Sequence, residues 1–275
     1  MKTAILSSLC VAVLAACGGG TDEAQFSATA QAAVETSAPA AGTSIPSPPG
    51  ATQIVFSGIT FNVRSGGGGP GPNTWSAQNV WVDDSGYLHL KISNVAGQWS
   101  TAEIYTDQAF GFGTYQYKIV GHPEALDKNV VLGLFDYPTP DIGPDGTNEI
   151  DIEFATWGGA QSEHGNYTVW PAVTGSGPAT HAFDASPNTG LSTHRVSWTS
   201  RQVTFQSMAG LTDKTRSMYA NWTYAPTDYP TRIPQSPLPL HINFWLFQGN
   251  PPSDGLETEI VISQFTFTPA RRTRR

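Results

Sequence analysis

The chain has 275 residues and a formal net charge of −8, with 22 acidic side chains against 14 basic ones. This excess of acid argues against nucleic acid as a partner, because phosphate backbones are bound by basic surfaces. Both cysteines, Cys10 and Cys17, lie near the N-terminus. No disulfide can therefore staple the rest of the chain, and its stability must come from a large core.

The first residues have the pattern of an export signal. Lys2 precedes a short apolar run from Ala4 to Leu14, and a membrane-spanning helix would need about 20 apolar residues. The run ends in Leu-Ala-Ala-Cys, which resembles the bacterial lipoprotein signal, in which cleavage before the cysteine is followed by its acylation. We predict a signal peptide over residues 1–16 and lipidation of Cys17. An ordinary signal peptide with a cysteine near its cut site is the alternative.

Lipidation predicts a location in the bacterial cell envelope, at the outer membrane or the cell surface, with membrane contact through the anchor only. Residues 17–50 are rich in Ala, Ser, Thr, Pro and Gly, a composition typical of a flexible linker. Residues 51–270 have a length that suits a single domain, and residues 271–275 form a basic tail. We expect a monomer.

From residue 54 onward, apolar and polar residues alternate over short runs. Examples of the apolar positions are Tyr115, Tyr117, Ile119, Val196, Trp198, Val203, Phe205, Ile260, Ile262, Phe265 and Phe267. Alternation with a period of two is the signal of a half-buried strand. Clusters of Gly and Pro separate the runs, and no segment shows apolar residues at helical spacing. The pattern predicts an all-β sandwich.

The segment 148–154, Asn-Glu-Ile-Asp-Ile-Glu-Phe, carries the strongest functional signal. Side chains at alternate positions of a strand share one face, so Glu149, Asp151 and Glu153 project together while the apolar residues between them face the core. Neighbouring carboxylates repel one another, which makes this a poor choice for a purely structural strand. A solvated strand face and a calcium site are the alternative interpretations.

The same repulsion is useful to a glycosidase. Like charges a few ångströms apart raise the pKa of at least one carboxyl, so that one group can donate a proton while another attacks. Two carboxyls on one face of a strand can approach the separation of roughly 5–5.5 Å that retaining enzymes use. Asp151 lies between the two glutamates and can hydrogen-bond the attacking group.

Glu149-Ile150-Asp151-Ile152-Glu153-Phe154 resembles the signature of glycoside hydrolase family 16, the lichenase, laminarinase, agarase and carrageenase group. Segments on both sides resemble the family in the same order, among them 102–106, 112–118, 130–137, 183–186, 194–198 and 241–245. The resemblance runs from about Trp75 to Phe267. It implies a concanavalin-like β-jelly-roll of two curved antiparallel sheets, forming a single catalytic domain over residues 51–270 with a polysaccharide substrate across the concave sheet.

The resemblance also implies roles for individual residues. Glu149 matches the nucleophile, Asp151 the assisting residue and Glu153 the general acid/base.

Further matches lie outside the motif. Glu103 matches a glutamate that contacts sugar, and Asn243 and Trp245 match residues of the substrate cleft. Trp157, just past the motif, is a candidate stacking platform or a core residue. Tyr105 is a candidate binding residue that stands where lichenases usually carry an arginine.

Two other departures concern the surroundings. Thr147 replaces a tryptophan near the nucleophile, and Ser263 stands about where the family carries a calcium-binding aspartate. A structural calcium is therefore not supported, the histidines show no zinc-ligand spacing, and we expect no required cofactor.

The sequence thus predicts a hydrolase that cleaves internal β-linkages of a β-1,3-glucan, a β-1,3-1,4-glucan or a galactan by a retaining mechanism. A non-catalytic carbohydrate-binding lipoprotein and an envelope transglycosylase of the same fold remain as alternatives. A purely structural lipoprotein would leave the row of carboxylates unexplained.

Overall fold

The computed structural model describes residues 42–185 and 190–271. The predicted signal peptide, Cys17 and most of the predicted linker lie outside these residues. Within them, no helix is long and apolar enough to cross a membrane.

Short β-strands make up most of the described chain. In chain order they are β1 (Gln53–Phe56), β2 (Ile59–Val63), β3 (Gly66–Gly68), β4 (Asn73–Trp75), β5 (Val80–Val82), β6 (Leu88–Val95), β7 (Gln98–Ser100), β8 (Ala102–Phe110), β9 (Gly113–Val120), β10 (Val130–Asp136), β11 (Ile150–Phe154), β12 (Gly165–Val169), β13 (Ala179–Phe183), β14 (Leu191–Trp198), β15 (Val203–Ala209), β16 (Met218–Tyr224), β17 (Leu238–Leu246) and β18 (Thr258–Pro269). The helical elements are α1 (Tyr229–Arg232) and 3-10 turns at Ala77–Asn79, Pro123–Ala125, Trp157–Gly159 and Phe247–Gly249.

Two large antiparallel sheets form the sandwich. The front sheet has the order β1-β2-β8-β17-β10-β11-β12-β13, and the back sheet has the order β16-β15-β14-β9-β18-β6-β5, with β7 paired to β6. Hairpin pairs of consecutive strands occur in both sheets, and three long-range pairs join them in each: β2-β8, β8-β17 and β17-β10 in the front sheet, and β14-β9, β9-β18 and β18-β6 in the back sheet. This architecture confirms the predicted all-β sandwich.

The core lies between the two sheets and is built by the alternation that the sequence shows. On the front sheet, Ile150, Ile152 and Phe154 are 1 %, 0 % and 0 % exposed. On the back sheet, the Tyr117 ring lies 5.0 Å from that of Phe265. The other face of the front sheet, which we call the outer face, therefore receives the alternate side chains of β8, β10, β11 and β17.

Residues 42–50, at the C-terminal end of the predicted linker, make backbone hydrogen bonds to the sheets. The N–H of Ile45 donates to Val55 O at 2.9 Å, and that of Ser47 donates to Val82 O at 2.9 Å. These bonds join residues 42–50 to one strand of each sheet, at the edge where β1 and β5 lie. The backbone here finds partners in exposed sheet edges, a long-range feature that the composition of the segment does not reveal.

Candidate active site

The acidic segment lies in the middle of the front sheet. β11 pairs with β10 on one side and with β12 on the other. Glu149 comes just before β11, and its carbonyl accepts the N–H of Trp170 at 2.9 Å. The hydrogen bonds between β11 and β12 thus continue to Glu149. Glu149, Asp151 and Glu153 therefore occupy alternate positions on the outer face.

An unusual backbone conformation leads into Glu149. Asn148 has a φ of +53°, a left-handed conformation that asparagine tolerates better than most residues. Its side chain is 4 % exposed, and its amide Nδ2 donates to Ala172 O at 3.1 Å. The N–H of Asn148 donates to Pro171 O at 2.8 Å. These bonds hold the chain in the turn from which Glu149 enters the strand.

Burial dominates the electrostatics of the carboxyl groups. It raises the pKa of Glu149 to about 8, with the negative charges of Glu153 and Asp145 adding and a hydrogen bond with Asp151 opposing. Burial, and then the charge of Glu149, raise the pKa of Asp151 well above its usual range. Burial, and then the charge of Asp151, do the same for the pKa of Glu153.

The Glu149–Asp151 hydrogen bond has a direction. It lowers the pKa of Glu149 and raises that of Asp151, so Asp151 holds the proton and donates it to the Glu149 carboxylate. Asp151 also accepts a hydrogen bond: Trp170 Nε1 donates to Asp151 Oδ2 at 3.0 Å. Burial beside other acids disfavours the ionised form of Glu153 in the same way, which is why the pKa of its carboxyl is raised.

A transverse row crosses the sheet from Glu153 through Gly133 and Asn243 to Glu103, as the strand registers show. Gly133 leaves room that Asn243 fills, since a Cβ at this glycine would lie 2.4 Å from Asn243 Oδ1. Asn243 is 4 % exposed, and its Oδ1 has no hydrogen-bond partner among the described residues. A buried acceptor without a partner is costly, and this oxygen packs against Gly133.

At the far end of that row, Glu103 is held by two basic side chains. Its Oε2 lies 2.6 Å from Arg64 Nη1, and its Oε1 lies 2.9 Å from His241 Nδ1. The Arg64 guanidinium stacks over the Trp75 ring at 4.5 Å. Glu103 is only 4 % exposed, so in this structure it presents Arg64 to the cleft rather than a free carboxylate.

The next transverse row is aromatic. Tyr105 stacks on His241 with ring centroids 5.6 Å apart, and the rings of Phe135 and Tyr137 lie 5.1 and 5.7 Å from that of His241. Phe135 is opposite Asp151 in the register, so these rings form a floor beside the acidic strand. Tyr105 brings no charge to this row, and Arg64, which directly follows β2, supplies the cation to Glu103.

The sequence analysis named Tyr105 in the aromatic row and Asn243 in the row from Glu153 to Glu103. It missed Arg64, Phe135, Tyr137 and His241. A usable signal exists for three of them. Phe135 and Tyr137 alternate with the buried leucines of β10, and His241 precedes Asn243 by two positions, so period-two alternation from the named residues would have found them.

A second apolar cluster lies apart from the main core. It contains Trp75, Val131, Ala155 and Trp245, with Trp157 and Phe247 packed against it. Trp245 shares the outer face with Asn243, but it is only 6 % exposed, and the Trp157 ring lies 6.5 Å from it. Trp157 is half-buried, so it offers more ring surface to a ligand than Trp245 does.

Across the described ranges, no three His, Cys, Asp or Glu side chains are grouped so that they could hold a metal ion. The hydroxyl of Ser263 donates to Lys118 O at 3.2 Å. The outer face carries three neighbouring carboxyl groups. When Glu149 is ionised, its carboxylate can receive a hydrogen bond from Asp151, and burial favours the protonated form of Glu153. This arrangement can combine nucleophilic attack with proton donation.

No family model and no curated protein matches the sequence. Solved structures do match it. A β-glucanase of Bacillus licheniformis has a TM-score of 0.56 and 19 % identity, over 83 % of this chain and 99 % of that one. A laminarinase from Flavobacterium sp. UMI-01 has a TM-score of 0.57 and 17 % identity, over 75 % and 92 %.

A third match is a Mycobacterium tuberculosis protein described as an immunostimulatory antigen and pseudo β-1,3-glucanase. It has a TM-score of 0.58 and 16 % identity, over 82 % of this chain and 96 % of that one. At such identities the likeness concerns the fold, and it agrees with the predicted β-jelly-roll.

Because Trp245 is buried, its removal should lower the stability of the fold. Trp245→Ala would open a cavity in the second apolar cluster, and we expect it to lower the free energy of unfolding by about 3–5 kcal/mol. Denaturant titration measures this loss. Trp157→Ala, which removes a half-buried ring from the same cluster, serves as the matched control and should lose less. A Trp245→Ala protein as stable as the wild type would show that the ring is not a packing element.

Proposed function

We propose that this protein is a glycoside hydrolase that cleaves internal β-linkages of a polysaccharide with retention of configuration. The observation that carries the proposal is the outer-face row of Glu149, Asp151 and Glu153, whose carboxyl pKa values are all raised, first by burial. The likeness to the β-glucanase and laminarinase structures supports the same class of reaction.

In the first step, Glu153 donates its proton to the glycosidic oxygen as the bond to the anomeric carbon breaks. The Glu149 carboxylate attacks that carbon from the opposite face and forms a glycosyl ester. In the second step, the now ionised Glu153 takes a proton from water, which attacks the same carbon and releases Glu149. The hydrogen bond from Asp151 holds Glu149 in place while its charge is consumed and regenerated.

For the substrate we propose a β-1,3-glucan, a β-1,3-1,4-glucan or a galactan. Support comes from the aromatic floor of Tyr105, Phe135, Tyr137 and His241, since flat rings suit the C–H face of a pyranose. A panel of these polysaccharides, with reducing-end assays and sizing of the products, would identify the substrate and distinguish internal from terminal cleavage.

Non-catalytic binding and transglycosylation are the competing functions. The neighbour described as a pseudo β-1,3-glucanase indicates that the fold alone does not ensure activity. In this chain, the placement of three carboxyls with raised pKa values on one face favours catalysis, because a site that only binds sugar gains nothing from burying like charges. The same product analysis separates hydrolysis from transfer, since a transglycosylase yields products longer than its substrate.

We also propose that the enzyme is attached to the cell envelope through lipidated Cys17, as the Leu-Ala-Ala-Cys sequence suggests. The wild type should then sediment with membranes and be released by detergent. Cys17→Ala should leave an unprocessed or soluble protein with the melting temperature of the wild-type domain. A wild type that stays wholly soluble and carries no lipid would contradict the anchor.

The two glutamates should fail in different ways. Glu149→Ala removes the nucleophile, so turnover should collapse, and added azide should then attack from the vacated face. An activated β-glycoside should give an α-linked azide product with this variant, as analysed by NMR.

Glu153→Ala keeps the nucleophile and loses the proton donor, which is worth about 10²–10⁴-fold in rate. With substrates that carry good leaving groups, the first step should keep most of its rate. Azide should then give the β-linked product by attacking the glycosyl ester on Glu149. If both variants gave the same azide configuration, or if both kept full activity, the assignment of roles would be wrong.

A further inference from the structure

Three consecutive residues after β12 hold the entry to the acidic strand. The N–H of Trp170 donates to Glu149 O at 2.9 Å, and the carbonyl of Pro171 accepts the N–H of Asn148 at 2.8 Å. The carbonyl of Ala172 accepts the Asn148 amide at 3.1 Å. We call residues 170–172 the clasp.

The clasp is itself anchored. The N–H of Ala172 donates to Thr231 O in α1 at 3.0 Å. On the opposite side, a Cβ at Gly146 would lie 3.8 Å from the Trp170 ring, so the loop before the acidic strand packs against the indole. Trp170 is half-buried. The indole thus has a fixed place against the carboxyl pair.

We propose that Trp170 is a positioning residue that orients Asp151 as a hydrogen-bond donor to Glu149, which rests on the function proposed above. An indole N–H can only donate, and it lies 3.0 Å from Asp151 Oδ2. Oδ2 therefore acts as the acceptor, and the proton of Asp151 is favoured on Oδ1, from which it is shared with Glu149. The same residue holds the Glu149 carbonyl through its backbone, so Trp170 fixes both members of the pair.

The surroundings make this neutral donor important. The charged groups that act on the pair are acidic throughout the described chain: Glu153 on the same strand, Asp136 at the end of β10 and Asp145 on the preceding loop. The negative charges of Glu153 and Asp145 raise the pKa of Glu149 directly. With no cation to offset them, the hydrogen bond that runs from Trp170 through Asp151 to Glu149 is what stabilises the ionised nucleophile.

Trp170→Phe tests this, because it removes the N–H and keeps most of the ring. The wild-type kcat/KM should fall as the pH drops below about 8, where Glu149 gains a proton. Loss of the donor weakens the hydrogen bond that Asp151 makes to Glu149, so this acid limb should move up by about one pH unit. An unchanged acid limb would overturn the proposal.

Two comparisons make the result specific. In an Asp151→Ala background, Trp170→Phe should move the acid limb no further, because the group through which Trp170 acts is gone. An equal shift in that background would overturn the proposal.

Trp81→Phe is the control for replacing a half-buried tryptophan. Trp81 lies in the back sheet, where it stacks on His89 with ring centroids 4.7 Å apart. This variant should leave the pH profile unchanged.

NMR titration of the Glu149 side-chain carboxyl carbon gives a readout that does not depend on turnover. The pKa of Glu149 should rise in Trp170→Phe whether or not a polysaccharide is cleaved. If the wild type cleaved no member of the substrate panel but this titration shifted, the proposed function would fail and the role of Trp170 would stand. If the wild type were active and the titration did not shift, only the role of Trp170 would fail.

Discussion

Glu149 and Asp151 share a hydrogen bond in a place where neither is readily solvated, and Glu153 lies beside them on the same strand. Burial and like charge both disfavour ionisation, so this group is stable only when protons remain bound. A strand that merely covered the sheet would avoid such a cost. In the proposed mechanism these protons have a use: one is donated to the leaving group, and another supports the neighbouring carboxylate.

The fold meets this constraint by separating the two faces of the front sheet. Ile150, Ile152 and Phe154 tie the acidic strand to the core, where they are almost fully covered. On the outer face, Asp151, Asn243 and Glu103 are 3 %, 4 % and 4 % exposed, and Glu149 and Glu153 are half-buried. Hydrogen bonds between strands, such as those joining Glu103 to Arg64 and His241, satisfy most of them.

Local patterns in the sequence were sufficient for the fold class and the acidic strand, because alternation on one strand decides which side chains share a face. Contacts between distant segments could not be predicted this way. Arg64 reaches Glu103 across 39 positions, and Trp170 reaches Asp151 across 19; no periodicity relates either pair. The pairing of residues 42–50 with the sheet edges was missed for the same reason, since their composition resembles that of a linker.

The central claim is that Glu149 attacks the sugar and Glu153 protonates the leaving group, which makes two inversions at one carbon. Proton NMR of the first products released by the wild-type enzyme from a β-linked polysaccharide tests this most directly. The anomeric signal should appear first as the β-anomer and convert to the α-anomer only by mutarotation. Initial release of the α-anomer would mean a single displacement by water, and it would contradict the account.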